Sequence, residues 1–70
     1  MIIPSVDYDT FIRHRPGIVN AMRCYGGGFV SALAVAISRA DNDNARRIHA
    51  AFPHYINQYG PDSPFFRRSD

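Results

Sequence analysis

From Phe29 to Ala40 the chain is apolar almost all the way round a helix. Phe29, Leu33, Ala36, Ile37 and Ala40 recur at helical spacing on one face, and Val30 and Ala34 widen that face around the cylinder. Only Ser31, Ser38 and Arg39 interrupt it. A helix this apolar is expected to be buried, whereas a surface helix carries a single stripe. Gly26 to Gly28 oppose helix extension from the N-terminal side, since glycine costs about 1 kcal/mol relative to alanine inside a helix.

Shorter amphipathic runs flank this segment. Tyr8, Phe11 and Ile12 share a face in a turn that Ser5 or Asp7 can cap, and Arg13-His14-Arg15 places positive charge at its C-terminal end. Pro16 suits the first position of a helix running to Cys24 or Tyr25, with Ile18, Val19 and Met22 inward. A single kinked helix from Pro16 to Ala40 is the alternative. Asp41-Asn42-Asp43-Asn44 reads as turn and cap chemistry. A helix over Asn44 to Ala51 follows, with Ala45, Ile48 and Phe52 inward and Arg46 and Arg47 outward. Pro53 then opens another with Tyr55, Ile56 and Tyr59 inward, and Gly60-Pro61 ends it. Phe65 and Phe66 are expected to fold back onto the domain.

The pattern predicts a single all-α domain over residues 1–70, a compact bundle of three to five short helices. Residues 1–6 form an irregular arm and residues 62–70 an irregular tail. Phe29 to Ala40 is expected at the centre, with the Ala45 to Tyr59 pair packed across it.

Size changes what this bundle needs. A domain of 70 residues lies in the range where a core alone gives little net stability and disulfides, metals or oligomers add the rest. The single cysteine, Cys24, excludes an internal disulfide, so a homodimer or higher oligomer is expected. The N-terminus lacks a signal-peptide pattern and the longest apolar run, Phe29 to Ile37, is too short for a membrane span. No membrane association and a cytoplasmic location are therefore expected.

All eight basic residues are arginine and all six acidic residues aspartate, a usage that codon bias in a GC-rich genome explains. The net charge of +2 excludes an acidic DNA mimic and argues only weakly for nucleic acid. Candidate chemistry is sparse. The glycine run before a helix could cradle phosphate, but neither a preceding strand pattern nor a dinucleotide or P-loop spacing accompanies it. The Asp41 to Asn44 loop lacks the glycine and distal glutamate of a calcium loop. His14, His49 and His54 do not share a metal-binding face, and Cys24 reads as a small hydrophobe on a helix. No catalytic residue, cofactor or metal is assigned, and the protein is expected not to be an enzyme.

The run Tyr25-Gly26-Gly27-Gly28-Phe29-Val30-Ser31-Ala32-Leu33-Ala34, the Arg39-Ala40-Asp41 corner, Ala50-Ala51-Phe52-Pro53-His54-Tyr55 and Tyr59-Gly60 resemble a group of small accessory proteins of tailed bacteriophages and prophages. Their pattern is a glycine pair before Phe-Val-x-Ala-Leu, an Ala-Asp turn, and Ala-Ala-Phe-Pro-x-Tyr near the end. The resemblance covers about half the chain, Tyr25 to Gly60. Members carry glutamate and lysine on their outer helix faces, which this chain does not. The resemblance implies a counter-defence or host-takeover gene product that acts by binding host machinery inside the bacterial cell.

The expected function is thus inhibition or redirection of a host bacterial protein, such as a CRISPR effector. The expected contact surface is arginine and aromatic: Arg46, Arg47, Phe65, Phe66, Arg67 and Arg68, with Arg13 and Arg15 beside them. Arginines interleaved with aromatics also suit single-stranded nucleic acid, which is the alternative partner. A nucleotide-signal sponge and a virion-assembly component are further readings.

Overall fold

A computed structural model describes residues 5–61 and 63–66. Met1 to Pro4, Asp62 and the tail arginines Arg67 and Arg68 lie outside the described residues. The described residues form five helices: α1 (Tyr8–Arg13), α2 (Arg15–Tyr25), α3 (Gly27–Arg39), α4 (Asn42–Ala51) and α5 (Pro53–Gln58). The all-α bundle expected from periodicity is the observed fold.

Each helix begins and ends for a local reason. Asp7 caps α1 by accepting the Thr10 backbone N–H at 2.8 Å, and Asp41 caps α4 by accepting the Asn44 N–H at 2.9 Å. Because Asp41 is the cap, Asn42 to Asn44 form the first turn of α4 rather than a loop before it. Prolines open α2 and α5, where a missing N–H leaves no carbonyl unsatisfied. Asp41→Ala should cost about 1 kcal/mol, read as a lowered urea midpoint.

Hydrogen bonding by Thr10 holds the Asp7 carboxyl below the usual carboxylate value. A depressed folded-state pKa means that the ionised cap stabilises fully above the ordinary value. That contribution is lost as pH falls through the depressed one. Asp7→Asn keeps an accepting oxygen without the charge, so its acid unfolding should lack this component.

Gly26 and Gly27 turn the corner between α2 and α3. The Gly26 N–H closes α2 on the Met22 carbonyl at 2.9 Å, and Gly27 adopts a φ of +72°. The Arg15 guanidinium at the start of α2 reaches the carbonyls of Ile37 and Ala40 at the end of α3, at 3.4 and 3.2 Å. The two helices are therefore an antiparallel hairpin, which excludes a single kinked helix. Phe11, Ile18, Met22, Ile37 and Ile56 are fully buried, and Ala21, Ala34 and Ala45 join them where helices approach closely.

Two expectations about the central helix are corrected. Its buried face is Val30, Leu33, Ala34 and Ile37, while Phe29 is 59% exposed and Val35 and Ala36 face solvent. One partner helix covers one face, and so short a chain has no second layer for the other. The Ala45 to Tyr59 pair is also not the main cover of α3: α2 is its principal neighbour, α4 packs chiefly on α1 and α5, and the pair meets α3 through Phe29 against Phe52 and Tyr55. The reason lies at the N-terminus. The Val6 N–H donates to Asn57 Oδ1 at 2.7 Å, and the Val6 carbonyl lies 2.7 Å from His49 Nε2. The His49 ring packs on Phe11 and Tyr8, with centroids 5.5 and 5.8 Å apart. These contacts hold α4 to α1 and draw it away from α3.

Candidate functional site

The divergence of α4 from α3 opens a groove of about 470 Å³. From α3 it takes Ala36, Arg39 and Ala40, at i, i+3 and i+4. From α4 it takes Asn44, Arg47, Ile48 and Ala51, again one helical face, and Phe52 ends it. Ala36, Ala40 and Ala51 leave space between the two helices, beside the bulkier Ile48 and Phe52. Phe52 continues the groove into an aromatic corner, with the Phe29 ring at 6.0 Å and the Tyr55 ring at 6.3 Å. Phe29 and Tyr55 also meet, at 5.8 Å.

The groove is electrostatically one-sided. Arg39 and Arg47 supply its charge, and no acidic residue among the described ones lines it. Among the described residues the one ion pair joins Arg13 and Asp9, a turn apart on the exposed side of α1. Arg39 and Arg47 therefore have no carboxylate partner among the described residues. Arginine presents a planar fork matched to carboxylate geometry.

The residues expected to form one contact surface are distributed. Arg13 is paired with Asp9, Arg15 caps α3, and Arg46 lies 4.3 Å above the Tyr8 ring. Phe66 is half-buried against His14, with ring centroids 5.9 Å apart, so it belongs to the bundle. Phe65 folds back too, onto Tyr25 and Tyr59 at 5.4 and 5.7 Å, but keeps an exposed edge. Among the described residues of the expected set, only Arg47 lines the groove.

Sequence reasoning passed over Phe29, Ala36, Arg39, Ala51 and Phe52 as site residues. Their signal was an arginine set among alanines at spacing three and four on two successive helices. On periodicity alone that pattern is indistinguishable from a core face.

Other chemistry is thin. Among the described residues no cluster of histidine, cysteine and aspartate is placed to hold a metal ion. His49 is engaged with Val6, His14 with Phe66 and His54 with Tyr55, so the histidines serve separate contacts. Cys24 is exposed on α2. A second hollow, of about 310 Å³, lies between Arg15, Val19 and Ser38, but its arginine is committed to the end of α3. Among the described residues no helix is long and apolar enough to cross a membrane. No protein-family model, curated protein or solved structure matches the chain.

Proposed function

We propose that the chain is a non-enzymatic accessory protein of a tailed bacteriophage that binds a host bacterial protein in the cytoplasm and inhibits or redirects it. A defence component such as a CRISPR effector is the candidate class. One observation carries the binding reading: an open apolar groove whose rim arginines have no carboxylate partner among the described residues, running into an aromatic corner. Phe29 stays largely exposed beside Phe52 and Tyr55, and an apolar patch that continues a concave groove is characteristic of an interaction surface. The phage reading rests on the resemblance of Tyr25 to Gly60. Three of its aromatic positions, Phe29 from one segment and Phe52 and Tyr55 from another, meet at the end of the groove.

Nucleic acid is the weaker reading. Arg13, Arg15 and Arg46 are each engaged within the fold, and the phosphate backbone is not complementary to an apolar trough.

A tagged pull-down from host lysate, with and without nuclease, tests the function. One stoichiometric host protein that survives nuclease is the expected result. Recovery of nucleic acid, with all proteins lost on nuclease treatment, would overturn it.

A further inference from the structure

Resting on the reading of the chain as a protein-binding module, we propose that the α3–α4 groove receives one amphipathic helix of the partner, with carboxylates flanking its apolar anchors. The shape comes first. Along α4 the trough runs from Asn44 to Ala51, about 10 Å or two helical turns at about 1.5 Å per residue, and Phe52 carries it on to the Phe29 ring. A partner helix laid along it would place anchors at i, i+3 or i+4, and i+7, one per turn. A volume of about 470 Å³ suits a few large side chains over an alanine floor. The alanines of the lining leave that space open, so the anchors come from the partner.

Charge decides the flanks. Arg39 stands on one wall and Arg47 on the other, with no acid among the described lining residues. A partner helix with aspartate or glutamate on both sides of its apolar stripe meets both guanidinium groups. A lysine-flanked helix meets repulsion twice.

The same accounting disfavours a second copy of this chain. Asp7 and Asp41 are helix caps and Asp9 is paired with Arg13, so Asp43 is the one uncommitted carboxylate among the described residues. No described helix of this chain offers an apolar stripe with acids on both sides.

A helix-biased random peptide library, displayed and selected against the full chain, tests the assignment. Three targets are compared: wild type, the charge-reversed Arg39→Asp/Arg47→Asp protein, and Ala51→Arg, which fills the groove. All three positions are exposed helix-surface sites, and unchanged melting temperatures confirm that the variants fold. The wild-type pool should converge on acid-flanked apolar helices, and the reversed protein should select basic flanks instead. Ala51→Arg should weaken the wild-type pool by about tenfold or more.

A wild-type pool without acidic bias would overturn the proposal, as would one that Ala51→Arg retains undiminished. A wild-type homodimer in light scattering that Ala51→Arg dissolves would also overturn it. The two readings fail separately. A host protein held equally by wild type and Ala51→Arg removes the groove from the argument but leaves the host-binding function standing. An acid-flanked pool with no host protein captured does the reverse.

Discussion

Phe11→Ala should leave most of the chain unfolded in water at 25 °C. Phe11 is fully buried, and its ring contacts Tyr8 and His49, with centroids 6.1 and 5.5 Å away. Removing a buried phenylalanine ring costs about 3–5 kcal/mol, combining lost burial with a cavity that relaxes only in part. A single core of this size seldom supplies more than about 3–5 kcal/mol in total. The loss equals the reserve.

The position of Phe11 adds a second consequence. α1 touches α4 through this ring, and the His49 that it supports also meets the Val6 carbonyl. Removing the ring therefore loosens the N-terminal clasp together with the core. Phe11→Leu keeps most of the volume and should cost less than about 1.5 kcal/mol. Far-UV circular dichroism during urea titration separates the outcomes. A cooperative Phe11→Ala transition within about 1 kcal/mol of wild type would show that α1 is peripheral to stability.

The second large effect is a graded response across three adjacent glycines. A methyl group at Gly26 would collide with the Val30 side chain and with the Met22 carbonyl oxygen that ends α2. The carbonyl belongs to the backbone, so the corner itself must shift. Overpacking of this kind costs about 1–3 kcal/mol. At Gly27 a methyl group meets open space, but the left-handed φ of +72° opposes any side chain. That strain is about 1–2 kcal/mol.

Gly28 has neither constraint, because it lies in the first turn of α3 with nothing near the added carbon. Gly28→Ala should therefore stabilise, by up to about 1 kcal/mol, by reducing the freedom of the unfolded chain. For a domain of this length about 1 kcal/mol shifts the melting temperature by about 4–8 °C. The expected order of melting temperatures is Gly28→Ala above wild type, then Gly27→Ala, with Gly26→Ala at or below it. A Gly28→Ala protein that melts as low as Gly26→Ala would refute this account of the corner.

The glycine series also marks how far reading along the chain reaches. That a break falls at Gly26 to Gly28 follows from composition. Which of the three is strained, which is crowded and which is free depends on how α3 packs back on α2. The aromatic residues behave alike. Phe11 and Phe29 both occupy apolar positions at helical spacing, yet one is fully buried and the other mostly exposed. Periodicity identifies a face but not whether a neighbour covers it.

The candidate groove illustrates the same limit. Ala36 and Ala40 read as core because alanine at helical spacing permits close approach. In the fold α4 is drawn toward α1 by His49, Phe11 and Val6, and the expected close approach becomes an open trough. Arg39 then changes from an interruption of an apolar helix into one wall of that trough. Arg13, Arg15 and Arg46 go the other way, from presumed contacts to a surface ion pair, a helix cap and a ring stack.

Sequence alone determined the local quantities: an all-α chain of three to five helical segments, a cap at Ser5 or Asp7 and another within Asp41 to Asn44, the proline starts, and a break at the glycines. These are set by propensity, capping and periodicity, which act over a few residues. Only the tertiary structure decided which apolar faces meet and which remain open. It also decided where the unpaired arginines stand. Those outcomes depend on a few long-range contacts, above all the hold of Val6 by Asn57 and His49, between residues far apart in the chain.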